Sequence, residues 1–137
     1  MPNAISARIE LVNYERMRNA FRVAPDATVK AVGLALYQTA NNIFNESQEQ
    51  VPFRRGTLRS TGFVSPPAYQ GNSQIAVRIS YGGASAPYAY VQHYNLTYRH
   101  APGRKALYLT DPMLTAGPNL ERLVGAAVGR ALSALGL

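Results

Sequence analysis

At 137 residues the chain suits a single domain, residues 1–137, with one core. It is 47% hydrophobic, only 15% charged, formally +7, and free of cysteine, which excludes disulfides, thiolate chemistry and cysteine-held zinc. No apolar run approaches the ~20 residues of a bilayer span, and the first residues lack the basic and apolar regions of a signal peptide. The expectation is a soluble chain made in a cytoplasm, with no membrane partner.

Soluble domains usually carry charge on about a quarter of their residues. The shortfall here, with nine tyrosines and no tryptophan, points to surface covered by other subunits, because tyrosine supplies contact area with a polar tip. The alternative is that several tyrosines fill the rim of the core. Twelve of the fourteen cations are arginine, a residue suited equally to carboxylate and phosphate.

Residues 7–12 alternate, with Ile9 and Leu11 on one face and Arg8 and Glu10 on the other, predicting a half-buried strand. Tyr14, Met17 and Phe21 predict a short helix over 14–22, ended by Pro25. Asp26 is the expected N-cap of a long helix to about Gln50, carried by Val29, Val32, Leu36, Ala40 and Ile43. Gly33 and Ala40 leave room for close packing. Residues 57–65 read as extended, stopped by Pro66-Pro67, with a turn at Gln70-Gly71-Asn72-Ser73. Ile75, Val77, Ile79 and Tyr81 then mark the clearest strand, 74–81, forming a hairpin with that run.

After the Gly82-Gly83 loop, a short helix is expected at 87–94, a loop at 95–105 and a strand at 106–109 stopped near Asp111-Pro112. Pro118 opens the last helix, whose stripe is Leu120, Leu123, Val124, Ala127, Val128, Ala131, Leu132 and Leu135. Gly125 and Gly129 allow close helix approach. The fold class is α+β: a long helix and a C-terminal helix packed on a small antiparallel sheet.

No catalytic or metal motif stands out. His93 and His100, with Asp111 or Glu121, do not have ligand spacing, and both histidines read as surface or interface residues. There is no G-x-S-x-G elbow, and Gly82-Gly83 lacks the Lys-Ser/Thr of a phosphate loop. The expectation is no enzyme, no metal and no cofactor. Arg54, Arg55 and Arg59 form the densest basic cluster, with Arg99, Arg104 and Lys105 a looser one. They suit either DNA phosphates or the acidic residues of an adjoining subunit. The absence of interleaved aromatics favours protein contact.

Three blocks occur in a characteristic order: Pro52, Gly56, Leu58, Arg59 and Ser60 after the long helix; Tyr88, Ala89, Val91 and Gln92; then Gly103 through Leu109, leading to the closing helix at Leu135. This succession resembles the neck, or tail-completion, proteins of tailed bacteriophages, the HK97-type minor capsid family. Those proteins commonly have Thr-Gly in the first turn, where this chain has Arg55-Gly56 followed by Thr57. The resemblance implies a structural virion protein at the head–tail junction: a homo-oligomeric ring of six or twelve copies. Such a ring joins portal or adaptor to tail proteins around the DNA channel and makes at most non-specific contact with DNA. Stopper, tail terminator and minor capsid roles stay open. The expected ring-interface residues are Arg54, Arg55, Arg59, Tyr88, Tyr90, Gln92, Arg99, Arg104 and Lys105, and the segments 66–73 and 95–105 are expected to reach neighbouring rings. A small basic nucleic-acid-binding protein is the competing reading.

Overall fold

The structure, a computed structural model, describes residues 4–12, 18–52, 56–70, 74–83, 86, 88–95 and 104–137. Strand β1 (Ala4–Val12) is followed by helices α1 (Arg18–Val23) and α2 (Pro25–Gln50) and a single turn, α3 (Thr57–Ser60). Strands β2 (Phe63–Val64), β3 (Ala68–Gln70) and β4 (Gln74–Gly82) precede α4 (Ala89–Tyr94) and α5 (Thr110–Ala134). The architecture is α+β, with both long helices packed beside a four-stranded antiparallel sheet.

β4 is the central strand, and the reason lies in its alternation: Ile75, Val77, Ile79 and Tyr81 are all buried, while Arg78 faces out. β1 pairs along its whole length, with Ile9 opposite Val77 and Arg8 opposite Arg78. On the other side β2 sets Val64 opposite Ile79, whereas β3 sets Ala68 opposite Ala76. Residues 65–67 therefore span two positions of β4 (77 and 78) with three of their own, which is a β-bulge. Pro66 and Pro67 have no N–H for the ladder. Ser65 holds the join by donating its N–H to Arg78 O (2.8 Å) and accepting from Arg78 N at its hydroxyl (2.9 Å).

α2 lies on this sheet and carries the core stripe Val32, Leu36, Ala40 and Ile43. Its cap differs from expectation. Ala24 holds the N-cap position with no side-chain cap bond; Pro25 opens the helix and Asp26 lies within the first turn. The chain comes from α1 through Ala24 alone, whose backbone leaves the helical region (φ −141°, ψ 71°); Thr28 N donates to Ala24 O, and Thr28 Oγ1 reaches back to Ala20 O. Pro25, lacking an N–H, marks the joint between the two helices. The rest of the expected 14–22 helix lies outside the described residues, as does most of the turn at 70–73. Gly33 does admit a close neighbour: a Cβ there would lie 2.5 Å from the Tyr69 hydroxyl.

Three further expectations fail for local reasons. The run 57–65 is not extended throughout. Gly56, at φ +77°, starts a helical turn, and Ser60 and Thr61 fold their hydroxyls onto Thr57 O and Leu58 O. Residues 106–109 are not a strand but the corner into α5, where Leu107 takes a positive φ of 54°. Finally, α5 begins eight residues before Pro118, which sits inside it. Asp111 and Pro112 belong to its first turn, where an acid suits the helix dipole and a proline forfeits no hydrogen bond. The carbonyl that Pro118 deprives of a partner belongs to Leu114, itself 70% exposed.

Only Val124 and Val128 of the expected α5 stripe are buried; Leu120 and Leu132 pack at its margin, while Leu123 (40%) and Leu135 are exposed. Cβ atoms added at Gly125 and Gly129 would meet nothing within 4 Å, so the close approach expected there has no partner among the described residues.

Candidate subunit interface

The described members of the interface set expected from the sequence divide into two groups, one at the C-terminal end of α2 and one on and beside α4. The first surrounds the C-terminal end of α2. A helix end leaves carbonyls without partners and a negative dipole pole, and the last turn of α2 holds no basic residue of its own. Arg59 Nε donates to Gln48 O at 3.2 Å, and Arg104 Nη1 donates to the same oxygen at 2.7 Å. Lys105 N donates to Gln50 O at 2.8 Å, and the Lys105 ammonium pairs with Asp111. Cations far apart in sequence thus close one helix end. Arg54, Arg55 and Arg99 lie outside the described residues.

Gln48 is the hub of this end, and sequence reasoning missed it. Besides accepting both guanidinium bonds at its carbonyl, its side-chain nitrogen donates to Arg59 O (3.2 Å) and to the Tyr81 hydroxyl (2.9 Å). Tyr81 in turn donates to Ser47 Oγ at 3.0 Å. Burial pushes the Tyr81 phenol above its ordinary pKa, opposed by the hydrogen bonds to Ser47 and Gln48 and by the Arg59 charge. One signal was available: Ser47 falls four residues after Ile43, a hydroxyl continuing an apolar stripe. A polar residue there needs a buried partner.

The second group is the tyrosine block on α4. Tyr88 is 42% exposed, Tyr90 and Gln92 are half-buried, and the Tyr90 and Tyr94 rings lie 4.8 Å apart. Ring contacts continue from Tyr94 to His93 (4.4 Å), Tyr108 (4.9 Å from His93), Tyr81 (5.3 Å) and Phe44 (5.8 Å). Tyr108 donates its hydroxyl to Ala89 O at 3.0 Å, and Leu107 N donates to His93 O at 2.7 Å. The second and third sequence blocks therefore pack directly on each other, and the first and third meet at Gln48.

His93 is not a surface residue. It is 1% exposed, its Nε2 accepts from Thr110 N at 3.3 Å, and burial lowers its pKa to about 4 against a smaller upward pull from Asp111. A neutral imidazole with Nε2 accepting is the form this geometry holds. Among the described residues no three His, Asp or Glu side chains gather as metal ligands. His100 lies outside them.

Two grooves of about 230 and 190 Å³ run along β1. The first lies between Ile9 and the α5 residues Met113 and Leu120, with Ile43 of α2 in its lining; the second adds Ile5, Leu109 and Leu114, and Met113 borders both. Among the described residues no helix is long and apolar enough to cross a membrane.

The chain matches no protein-family model, no curated protein and no solved structure.

Proposed function

We propose that this chain is a structural subunit of a tailed-phage neck, assembling as a ring at the head–tail junction between portal or adaptor and tail. The observation that carries an assembly role is the apolar surface of the lone subunit. Leu34, Phe63, Tyr69, Leu114, Leu135 and Leu137 are each more than half exposed in a chain with 15% charged residues. Scattered apolar side chains are ordinary on a monomer, but here they accompany glycines on α5 that face open space and grooves lined by Met and Leu. The neck assignment rests on the succession of the three sequence blocks. A ring uses heterologous contacts, one patch meeting a different patch on the next copy.

The competing nucleic-acid reading loses some of its support, since Arg59, Arg104 and Lys105 are bound to the chain's own carbonyls and to Asp111. Particles assembled with tagged copies of this chain should show annular density at the portal–tail junction by electron microscopy. Their absence from purified virions would overturn the reading. Tight DNA binding by the purified chain, with a steep loss of affinity as salt rises, would replace it with the nucleic-acid reading. The exposed Tyr88 is the cleanest interface probe: Tyr88→Asp should leave the subunit folded by circular dichroism yet lower the yield of tailed particles.

A further inference from the structure

The two edges of the sheet are built differently. The β2–β3 edge is blunted by Pro66, Pro67 and the bulge between them, devices that stop another strand from adding. The β1 edge has nine residues, no proline and no break in register with β4, and among the described residues no strand pairs with its other side. An open edge of that length is a template for another strand.

α5 packs chiefly on α2, and the two grooves lie between it and β1 along residues 5–10. A strand added beside β1 would have its inward side chains continue the row begun by Ile5 and Ile9.

Charge selects the occupant. Arg8 and Glu10 share the outward face of β1 and contact each other at 2.7 Å. Arg8 also lies opposite Arg78 on β4, a like-charge cross-strand neighbour that disfavours the sheet. Charges defend an edge when they repel a second copy. Here they have opposite sign and flank one residue, so the triplet Arg8-Ile9-Glu10 is complementary to itself when run antiparallel.

We propose that the open edge of β1 pairs antiparallel with β1 of a second copy of this chain, in the register that sets Arg8 opposite Glu10 and Ile9 opposite Ile9. In that register Ile5 and Ile9 of both strands stay on one face of the joined sheet, the face of the grooves. Each Arg8 then has a carboxylate on the side away from Arg78. The pairing is twofold and isologous and so lies outside the heterologous contacts of a polar ring; it is a state of the free chain, and its test does not use the ring reading.

The purified full-length chain, without other virion proteins, should sediment with the mass of two chains. Arg8→Glu and Glu10→Arg, made singly, place like charges opposite each other and should halve that mass. The double swap restores complementarity and should restore the dimer. Both single changes also break the contact within β1, so thermal melts by circular dichroism must accompany the mass measurements. Cysteine pairing supplies a readout independent of stability, because the natural chain has none and directly opposed Cβ atoms lie about 5 Å apart. Arg8→Cys mixed with Glu10→Cys should give disulfide-linked dimers under mild oxidant, and Arg8→Cys alone should not. A single-chain mass at every concentration would overturn the proposal, leaving the edge to a strand from a different protein. A dimer indifferent to the single swaps, or no crosslink in the mixed sample, would also overturn it.

Discussion

α2 and α5 are nearly equal in length, 26 and 25 residues, and both are rich in apolar residues, yet they are used differently. α2 buries nine side chains or glycine positions along its length, and its C-terminal end is closed by Arg59, Arg104 and Lys105 from elsewhere in the chain. α5 buries three, contains a proline, and leaves Leu114, Leu123 and Leu135 to solvent. The difference follows from position. α2 has the sheet on one side and α5 on another, while α5 has α2 alone as its principal neighbour. An apolar stripe in sequence shows that a helix has something to bury, and only its surroundings decide whether the same chain supplies the cover.

The sharpest way to break this contrast is paired truncation. Leu36→Ala on α2 removes a side chain that is 1% exposed and should cost about 2–5 kcal/mol in urea unfolding. Leu123→Ala on α5 should stay within about 0.5 kcal/mol. Equal losses would show that α5 is as enclosed as α2.

Acid should act next, through the corner that anchors α5. Below about pH 6.5 the unfolded chain takes up a proton on His93 that the folded chain refuses until about pH 4. The folded pKa lies below the unfolded one, so stability is greatest above that window and is lost as pH falls through it. The slope from this one group is at most about 1.4 kcal/mol per pH unit. His93→Gln keeps an acceptor for Thr110 N and should flatten the urea midpoint between pH 7 and 4.5. An unchanged slope would remove His93 from the account.

Glycine substitutions sharpen the comparison with opposite signs. A Cβ at Gly62 would sit 2.6 Å from the Phe44 ring and from Gln48 Nε2, so Gly62→Ala should destabilise by about 1–3 kcal/mol. At Gly129 a methyl group meets nothing within 4 Å. There Gly129→Ala should raise the stability of the lone subunit by about 0.5–1 kcal/mol through helix propensity. Calorimetric melting points moving the same way in both variants would contradict the placement of one of them.

Much of the architecture was readable along the chain because it follows from periodicity. The two-residue alternation of Ile75, Val77, Ile79 and Tyr81 identifies β4, and the three-and-four spacing of Val32, Leu36, Ala40 and Ile43 identifies α2, whatever packs on them. Ile9 between Arg8 and Glu10 marks β1 for the same reason. The resemblance picked out Arg59 and Arg104, which meet at the Gln48 carbonyl, and Tyr88 and Gln92, beside and on α4.

What failed were short runs whose pattern fits two geometries. Leu58 between polar neighbours suits a strand until Gly56 and the hydroxyls of Ser60 and Thr61 turn the backbone into a helix. Asp111-Pro112 suits a stop signal equally well as a first turn. Pro118 marks a helix start only if nothing upstream already holds the helix, and Thr110, Asp111 and Pro112 do.

The sequence by itself determined the class of the fold, the central strand and the long helix, because burial on one face imposes a period that no partner needs to supply. Only the tertiary structure decided that Gln48 gathers Arg59, Arg104 and Tyr81, that His93 is enclosed, and that among the described residues no strand pairs with the outer side of β1. These depend on residues from distant segments meeting in space. No local pattern encodes which carbonyl a distant arginine will reach, or which face of a helix the rest of the chain will leave uncovered.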